Sequence, residues 1–134
     1  MAKIEIKLPE GWKGQVSEQY VEIENQDGTA SVEVTVGDMP EDSAAPEQAL
    51  INYIDMVGFD DDDPEDYSPI EKWDFNNRKA YGFDAYLEDE SSIRVLCIEP
   101  KKGVLAVISI VGKSDQIVEE TMRLLERVLR IRYI

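Results

Sequence analysis

The acids between residues 60 and 71 are the first residues whose spacing could support chemistry. Six residues would occupy the ligand positions 1, 3, 5, 7, 9 and 12 of a calcium-binding loop: Asp60, Asp62, Pro64, Asp66, Ser68 and Glu71. Such a loop needs glycine at position 6, where this chain has Glu65, and Pro64 offers no side-chain oxygen. The pattern therefore favours a solvated acidic loop that attracts cations loosely, and we expect no metal site.

A second set of acids could support general acid–base catalysis. Asp74, Asp84 and Glu88 flank a predicted hairpin, and hairpin partners bring side chains close together. The chain holds 29 Asp and Glu residues, so such pairings arise by chance. A small carboxylate-based enzyme, or a protein that binds a small ligand, is therefore the alternative hypothesis, and we assign no catalytic residue.

Nucleophilic catalysis finds little support in the sequence. The chain has no histidine, which excludes Ser-His-Asp and Cys-His arrangements. Cys97 lies between apolar residues, which favours a buried packing thiol over a reactive one. One cysteine without histidine also disfavours zinc. Because phosphate-binding glycine patterns are missing too, we expect no nucleotide and no other cofactor.

Five aromatic residues around the same hairpin could line a ligand site: Trp73, Phe75, Tyr81, Phe83 and Tyr86. Aromatic residues at such positions more often pack in the core and on sheet faces. We therefore interpret this set as packing, and the binding residues stay unknown.

The net charge limits the classes of partner. A formal charge of −15 at pH 7 repels phosphate backbones and anionic lipids. We therefore expect neither nucleic acid nor membrane insertion. The charge favours solubility, or the attraction of a basic protein or peptide.

The length of the chain and its first residues limit the possible domain organisation and location of the protein. With 134 residues, positions 1–134 are expected to form one domain. No apolar run approaches the roughly 20 residues of a membrane-spanning helix. The first eight residues alternate charged and apolar side chains, unlike a secretory signal. If Met1 is the natural start, a cytoplasmic location is expected.

Hydrophobic periodicity predicts the element order β-β-β-α-β-β-β-β-α. The first strand covers Ile4 to Leu8, and Trp12 is predicted to plug the end of the core. Asp27-Gly28 predicts a two-residue turn that pairs Ile23 with Val32 and Glu22 with Glu33. The other predicted elements are a helix from Pro46 to Val57, strands at 70–75, 80–87, 93–99 and 104–111, and a helix from Ser114 to about Arg130.

The two strands near residues 93 to 111 are apolar on both faces. An antiparallel strand with one wet face would alternate polar and apolar residues, so these strands are expected to be covered on both sides. The predicted fold class is α+β, with an antiparallel sheet sandwiched between helices in a three-layer α/β/α arrangement.

The element order, the opening Leu8-Pro9-Glu10-Gly11-Trp12 and the final amphipathic helix resemble the Mog/PsbP-like superfamily, most closely its small bacterial members. The resemblance covers nearly the whole chain. It implies an antiparallel sheet between helices. It also implies a binding role, as in a partner of a small nuclear GTPase, an extrinsic photosystem II subunit, and chaperones of secreted effectors.

No residue motif of those activities occurs in this chain, so no functional residue is carried over. The leading hypothesis is a non-catalytic domain, adaptor-like or chaperone-like, that binds a protein or peptide. It would bind through a face of its sheet or a groove beside a helix.

Overall fold

A computed structural model describes residues 2–38, 71–76, 78–87, 90–101 and 103–133. These residues form one helix, α1 (Asp115–Val128), and nine strands. The strands are β1 (Ala2–Ile6), β2 (Trp12–Val16), β3 (Tyr20–Asn25), β4 (Ala30–Asp38), β5 (Glu71–Phe75), β6 (Arg78–Tyr86), β7 (Ser92–Lys101), β8 (Val104–Gly112) and β9 (Leu129–Tyr133).

Seven of these strands form one antiparallel sheet in the order β2-β3-β4-β8-β7-β6-β5. β1 and β9 pair with each other in a separate two-stranded sheet. Helix α1 packs against β4, β7 and β8, at the centre of the large sheet. We call the side of the large sheet that carries α1 the helix face, and the opposite side the outer face.

The register of the first hairpin is confirmed. Ile23 pairs with Val32, and Glu22 pairs with Glu33. Both apolar residues are buried and both glutamates are exposed, as a side-chain period of two requires. The predicted two-residue turn is not formed: the strands end at Asn25 and resume at Ala30, the Gly28 N–H donates to the Asn25 carbonyl at 3.0 Å, and Gly28 has a φ of 68°.

Two strands were not expected from the sequence. Trp12 packs against the helix-face core, as predicted, and it also begins β2, which pairs with β3. The C-terminal helix was predicted to reach about Arg130, but it ends at Val128, and β9 follows at once. In β9, apolar Leu129 and Ile131 alternate with Arg130, and this period of two suits the strand that pairs with β1.

The predicted three-layer α/β/α class is wrong. The described residues are mainly β, with one helix, a seven-stranded sheet and a small two-stranded sheet. The prediction overestimated helix because it extended the final helix over β9 and missed β2. The first predicted helix, from Pro46 to Val57, lies outside the described residues, as does most of the proposed calcium loop.

Helix α1 begins where the sequence predicts. The Ser114 side chain caps it by accepting a hydrogen bond from the Ile117 backbone N–H at 3.2 Å. Asp115 lies in the first turn and Arg127 in the last, where the helix dipole favours each charge. Its buried face consists of Val118, Thr121, Met122 and Leu125. No helix in the described ranges has the length and apolar character to cross a bilayer.

The core has two parts, one on each face of the sheet. On the helix face, Leu96, Ile108 and Ile110 pack against Met122 and Leu125 of α1, all at most 1 % exposed. On the outer face, a smaller buried cluster consists of Phe83, Ala85, Val95 and Cys97. β7 is therefore buried on both faces at its centre.

A buried arginine connects α1 to the sheet. The Arg94 guanidinium donates to both oxygens of Asp84, at 2.7 and 3.1 Å, and to Glu119 of α1 at 2.5 Å. Its carbon centre lies 4.5 Å from the centroid of the Trp73 ring. The Arg94 side chain is 11 % exposed, so its charge requires these partners.

This arrangement predicts a pH dependence of stability. The hydrogen bond from Arg94 lowers the pKa of Glu119, and the charge of Arg123 lowers it further. A carboxyl group with a lowered folded-state pKa contributes stability above its unfolded pKa, near 4.3, and this contribution is lost as the pH falls through the folded value. We expect the melting temperature of Glu119→Gln to fall less between pH 5 and pH 3 than that of the wild type.

The matched control is Glu120→Gln, which removes the neighbouring exposed carboxylate. Thermal melts followed by circular dichroism at several pH values would give the slope of melting temperature against pH for the wild type and for each variant. Equal slopes for wild type and Glu119→Gln would contradict the role assigned to the Arg94–Glu119 pair.

Candidate functional site

The acids considered for catalysis do not come together. In the β5–β6 hairpin, Asp74 pairs with Lys79 and lies on the outer face. Asp84 lies on the helix face, where Arg94 binds it. The sheet separates the two carboxylates, so they cannot act on one substrate. Glu88 lies outside the described residues.

Cys97 is a packing thiol, as predicted. Its side chain belongs to the outer-face cluster and is completely buried. Burial raises the pKa of its thiol to about 12, so the thiolate needed for nucleophilic attack does not form at neutral pH.

We expect Cys97 in the folded protein to resist a thiol reagent. At pH 8, Ellman's reagent should modify the native chain at least about 100-fold more slowly than the chain in denaturant, because attack needs both access and a thiolate. Absorbance at the released dye's band follows the reaction. Comparable rates in both conditions would contradict the burial of this side chain.

The five aromatic residues are divided between the two faces. Trp73 and Phe75 pack against the helix-face core, and Tyr81 and Phe83 belong to the outer-face cluster. Tyr86 is exposed, and its hydroxyl donates to Asp115 at 3.0 Å. Because the sheet separates them, these side chains cannot line one ligand site, and their predicted packing role is confirmed for the four that lie in the two clusters.

The candidate site lies along β2, the last strand of the large sheet in the described part of the chain. Four of its five residues, 13–16, are exposed, and the Val16 side chain is 47 % exposed. The Ser17 N–H donates to the Tyr20 carbonyl, and the Gln26 N–H donates to the Gly11 carbonyl. The backbone groups of the odd-numbered residues along β2 therefore point toward β3, and those of the even-numbered residues point away from it. By that alternation, the N–H and C=O groups of Gly14 and Val16 point away from β3.

Gly14 shapes this edge. Its φ angle is 154°, and a Cβ placed there would overlap the Glu22 carbonyl oxygen and lie 2.7 Å from the Ile23 Cα. The backbones of β2 and β3 therefore approach more closely than any other residue would allow. The result is a shallow hollow of about 330 Å³ in the surface of the two strands.

We call this feature the β2–β3 hollow; its described lining is Lys13, Gly14, Gln15, Glu22, Ile23, Glu24 and Ser31. Glu22 and Glu24 are two residues apart, so both carboxylates lie on the outer face. Glu33 lies directly opposite Glu22 on β4. Three carboxylates therefore lie on one side of the hollow, against the single ammonium group of Lys13 in its lining.

The local field at the hollow is negative. The Tyr20 hydroxyl donates to the Glu22 carboxylate at 2.9 Å, and this hydrogen bond, with the charge of Glu33, raises the pKa of Tyr20. Like charges directly opposite each other on neighbouring strands destabilise the pair. A cation placed over Glu22 and Glu33 would relieve this repulsion.

The hollow suits an extended basic segment better than a metal ion. Across residues 2–38 and the other described ranges, no group of three or more acidic or cysteine side chains is close enough to hold a metal. The outward backbone groups of Gly14 and Val16 have no partner among the residues that the structure describes. Together with the row of carboxylates, they offer a peptide both main-chain hydrogen bonds and charge complementarity.

Sequence reasoning missed this site because β2 was not predicted as a strand. A weak signal was present: Lys13 and Gln15 alternate with Trp12, Gly14 and Val16, a period of two over five residues. Gly14 in the middle of that run marks a bend or a close approach of two backbones. The adjacent glutamates were correctly placed on the wet face of the hairpin.

No protein-family model and no curated sequence matches this chain. Among solved structures, the fold is similar to the solution structure of cyanobacterial PsbP (CyanoP) from Synechocystis sp. PCC 6803, with a TM-score of 0.55. The two are 14 % identical, and the match covers 97 % of this chain and 87 % of that chain. The expected PsbP-like fold is therefore confirmed, while likeness to Mog proteins or to small bacterial members stays a prediction.

Proposed function

We propose that this protein is a non-catalytic protein-binding domain that pairs an extended basic segment with its edge strand β2. The observation that carries the proposal is the exposed outer edge of β2, whose Gly14 and Val16 backbone groups point away from β3. An added strand would satisfy these groups with main-chain hydrogen bonds. The similarity in fold to cyanobacterial PsbP does not identify a partner, because a shared fold alone does not determine function.

Charge would select the partner. Lysine or arginine side chains at alternate positions of the added strand would lie on the outer face, about 10 Å from Glu22 and Glu24, which lie on the next strand but one. Net charge adds long-range attraction, since the whole chain carries −15. Isolated exposed ion pairs contribute little, about 0–1 kcal/mol each, so the backbone pairing supplies affinity and the acids supply selectivity.

The test uses a fluorescent peptide in which lysine and valine alternate, compared with the same peptide carrying glutamate for lysine. We expect fluorescence anisotropy to show binding of the lysine peptide alone. Raising the ionic strength from about 0.01 M to about 0.15 M shortens the screening length from about 30 to about 8 Å, so the affinity should fall. Amide chemical shifts should change in β2 and β3.

Two sets of substitutions distinguish the contribution of the β2 backbone to binding from that of the carboxylates. Val16→Pro removes an outward N–H without interrupting the β2–β3 ladder, and an edge strand tolerates proline at such a position. We expect it to weaken binding about tenfold or more. Glu22→Gln with Glu24→Gln should weaken binding and reduce its salt dependence.

The control for charge is Glu10→Gln with Glu120→Gln, which changes the net charge equally at exposed sites outside the hollow. Unchanged binding in folded Val16→Pro would refute strand addition. Equal loss of affinity in the control pair and in the Glu22/Glu24 pair would show that net charge alone attracts the peptide.

A further inference from the structure

A second cleft lies far along the sheet from β2, where β5, β6 and β7 meet β9. Its volume is about 360 Å³, within the range of sites that hold small molecules. Its described lining consists of Phe75, Asn76, Arg78, Ile98, Leu129, Arg130 and Ile131. Four apolar side chains and two guanidinium groups thus surround one space.

Neither arginine is neutralised within the described part of the chain. Arg78 is exposed and makes no ion pair there. Arg130 donates to the carbonyl oxygens of Glu126 and Leu129, both at 2.7 Å, and so contacts no carboxylate among these residues. Within the described part of the chain, two guanidinium groups without a carboxylate partner thus line one cleft.

The nearest acids already have other partners. The Glu126 carboxylate pairs with Arg123 and accepts from the Asn76 backbone N–H at 3.3 Å. Glu5 lies opposite Arg130 in the β1–β9 register, but its carboxylate pairs with Arg132 at 2.5 Å. As far as residues 2–38, 71–76, 78–87, 90–101 and 103–133 show, no carboxylate of the chain occupies these guanidinium groups, and an anion could bind them.

We infer that this cleft binds a small organic carboxylate with an apolar body. The planar guanidinium group matches a carboxylate with two parallel hydrogen bonds. Phe75, Ile98 and Leu129 are themselves at most 5 % exposed, so most of the affinity would come from the ligand's own apolar surface, covered against them and the half-buried Ile131. This inference does not depend on the proposed function, which uses β2 at the opposite edge of the sheet.

The experiment titrates the full chain with octanoate and records amide chemical shifts and heat. We expect saturable binding with a dissociation constant on the order of 1 mM and shifts confined to residues around the cleft. Acetate, which lacks the apolar body, and octylammonium, which reverses the charge, should each bind at least about tenfold more weakly.

Arg78→Gln removes one guanidinium group from an exposed position and should weaken octanoate binding about tenfold, while Arg78→Lys should recover only part of the loss. The matched control is Arg127→Gln, which removes an exposed arginine outside the described lining of the cleft and should bind octanoate as the wild type does. The inference is overturned if octylammonium binds as tightly as octanoate, or if folded Arg78→Gln binds octanoate unchanged.

Discussion

Gly82→Ala is expected to destabilise the protein by about 3 kcal/mol. Gly82 lies in the middle of β6 on the helix face and is buried. A Cβ built there overlaps the Val95 carbonyl oxygen of the neighbouring strand and lies 2.6 Å from the Trp73 ring and 2.9 Å from a Leu96 methyl group. The ring could move, but the Val95 backbone could move only by distorting the β6–β7 ladder.

The substitution would also disturb Arg94. The Trp73 ring lies over Gly82 on one side and stacks with the Arg94 guanidinium on another. Displacing the ring removes a cation–π contact and lets water reach a charge that is otherwise shielded. Urea denaturation with tryptophan fluorescence would measure the free energy of unfolding and show whether the Trp73 emission shifts.

Gly37→Ala is the matched control. Gly37 is also a strand glycine, but a Cβ there meets nothing within 4 Å. Its replacement should be neutral or slightly stabilising, because alanine loses less backbone entropy on folding. If Gly82→Ala were as harmless as Gly37→Ala, the close approach of β6, β7 and Trp73 would be disproved.

Arg94→Met is expected to cost about 2–3 kcal/mol of stability. Methionine retains an unbranched apolar stem but loses the hydrogen bonds to Asp84 and Glu119 and the stack on Trp73. The effect should stay below that of a fully buried ion pair, because the Asp84 and Glu119 side chains are 40 % and 45 % exposed and remain hydrated.

Measuring the same substitution in a variant without the two carboxylates distinguishes the contribution of the ion pairs to stability from that of side-chain packing. In a protein already carrying Asp84→Asn and Glu119→Gln, the same Arg94→Met change should cost only about 1 kcal/mol, because no carboxylate loses its partner. Arg123→Met serves as the surface control; its side chain is 53 % exposed, and the change should cost less than about 1 kcal/mol. An equal cost of Arg94→Met in both backgrounds would show that the ion pairs contribute nothing to stability.

The local features of this fold could be predicted from the sequence because they depend on neighbouring residues. The alternation of apolar residues in β3 and β4 determines the pairing of Ile23 with Val32, because a shift by one residue would move one apolar set to the solvent. Ser114 marks the start of α1 because its hydroxyl satisfies a free N–H of the first turn. Apolar neighbours on both sides of Cys97 indicated a strand buried on both faces.

Features that need distant partners could not be predicted. β2 is a strand because β3 offers it a ladder, and β9 is a strand because β1, at the other end of the chain, pairs with it. A short segment with few apolar residues carries too little periodicity to reveal such a partner. The three-layer prediction failed for this reason.

The amino-acid sequence by itself determined the acidic character, the lack of histidine chemistry, the first hairpin and the start of the final helix. The tertiary structure alone decided that Asp74 and Asp84 lie on opposite faces, that Arg94 joins the helix to the sheet, and that Arg78 and Arg130 share a cleft. The physical reason is distance along the chain: turns and caps involve residues within a few positions, whereas strand order and sites arise from pairings that close long loops.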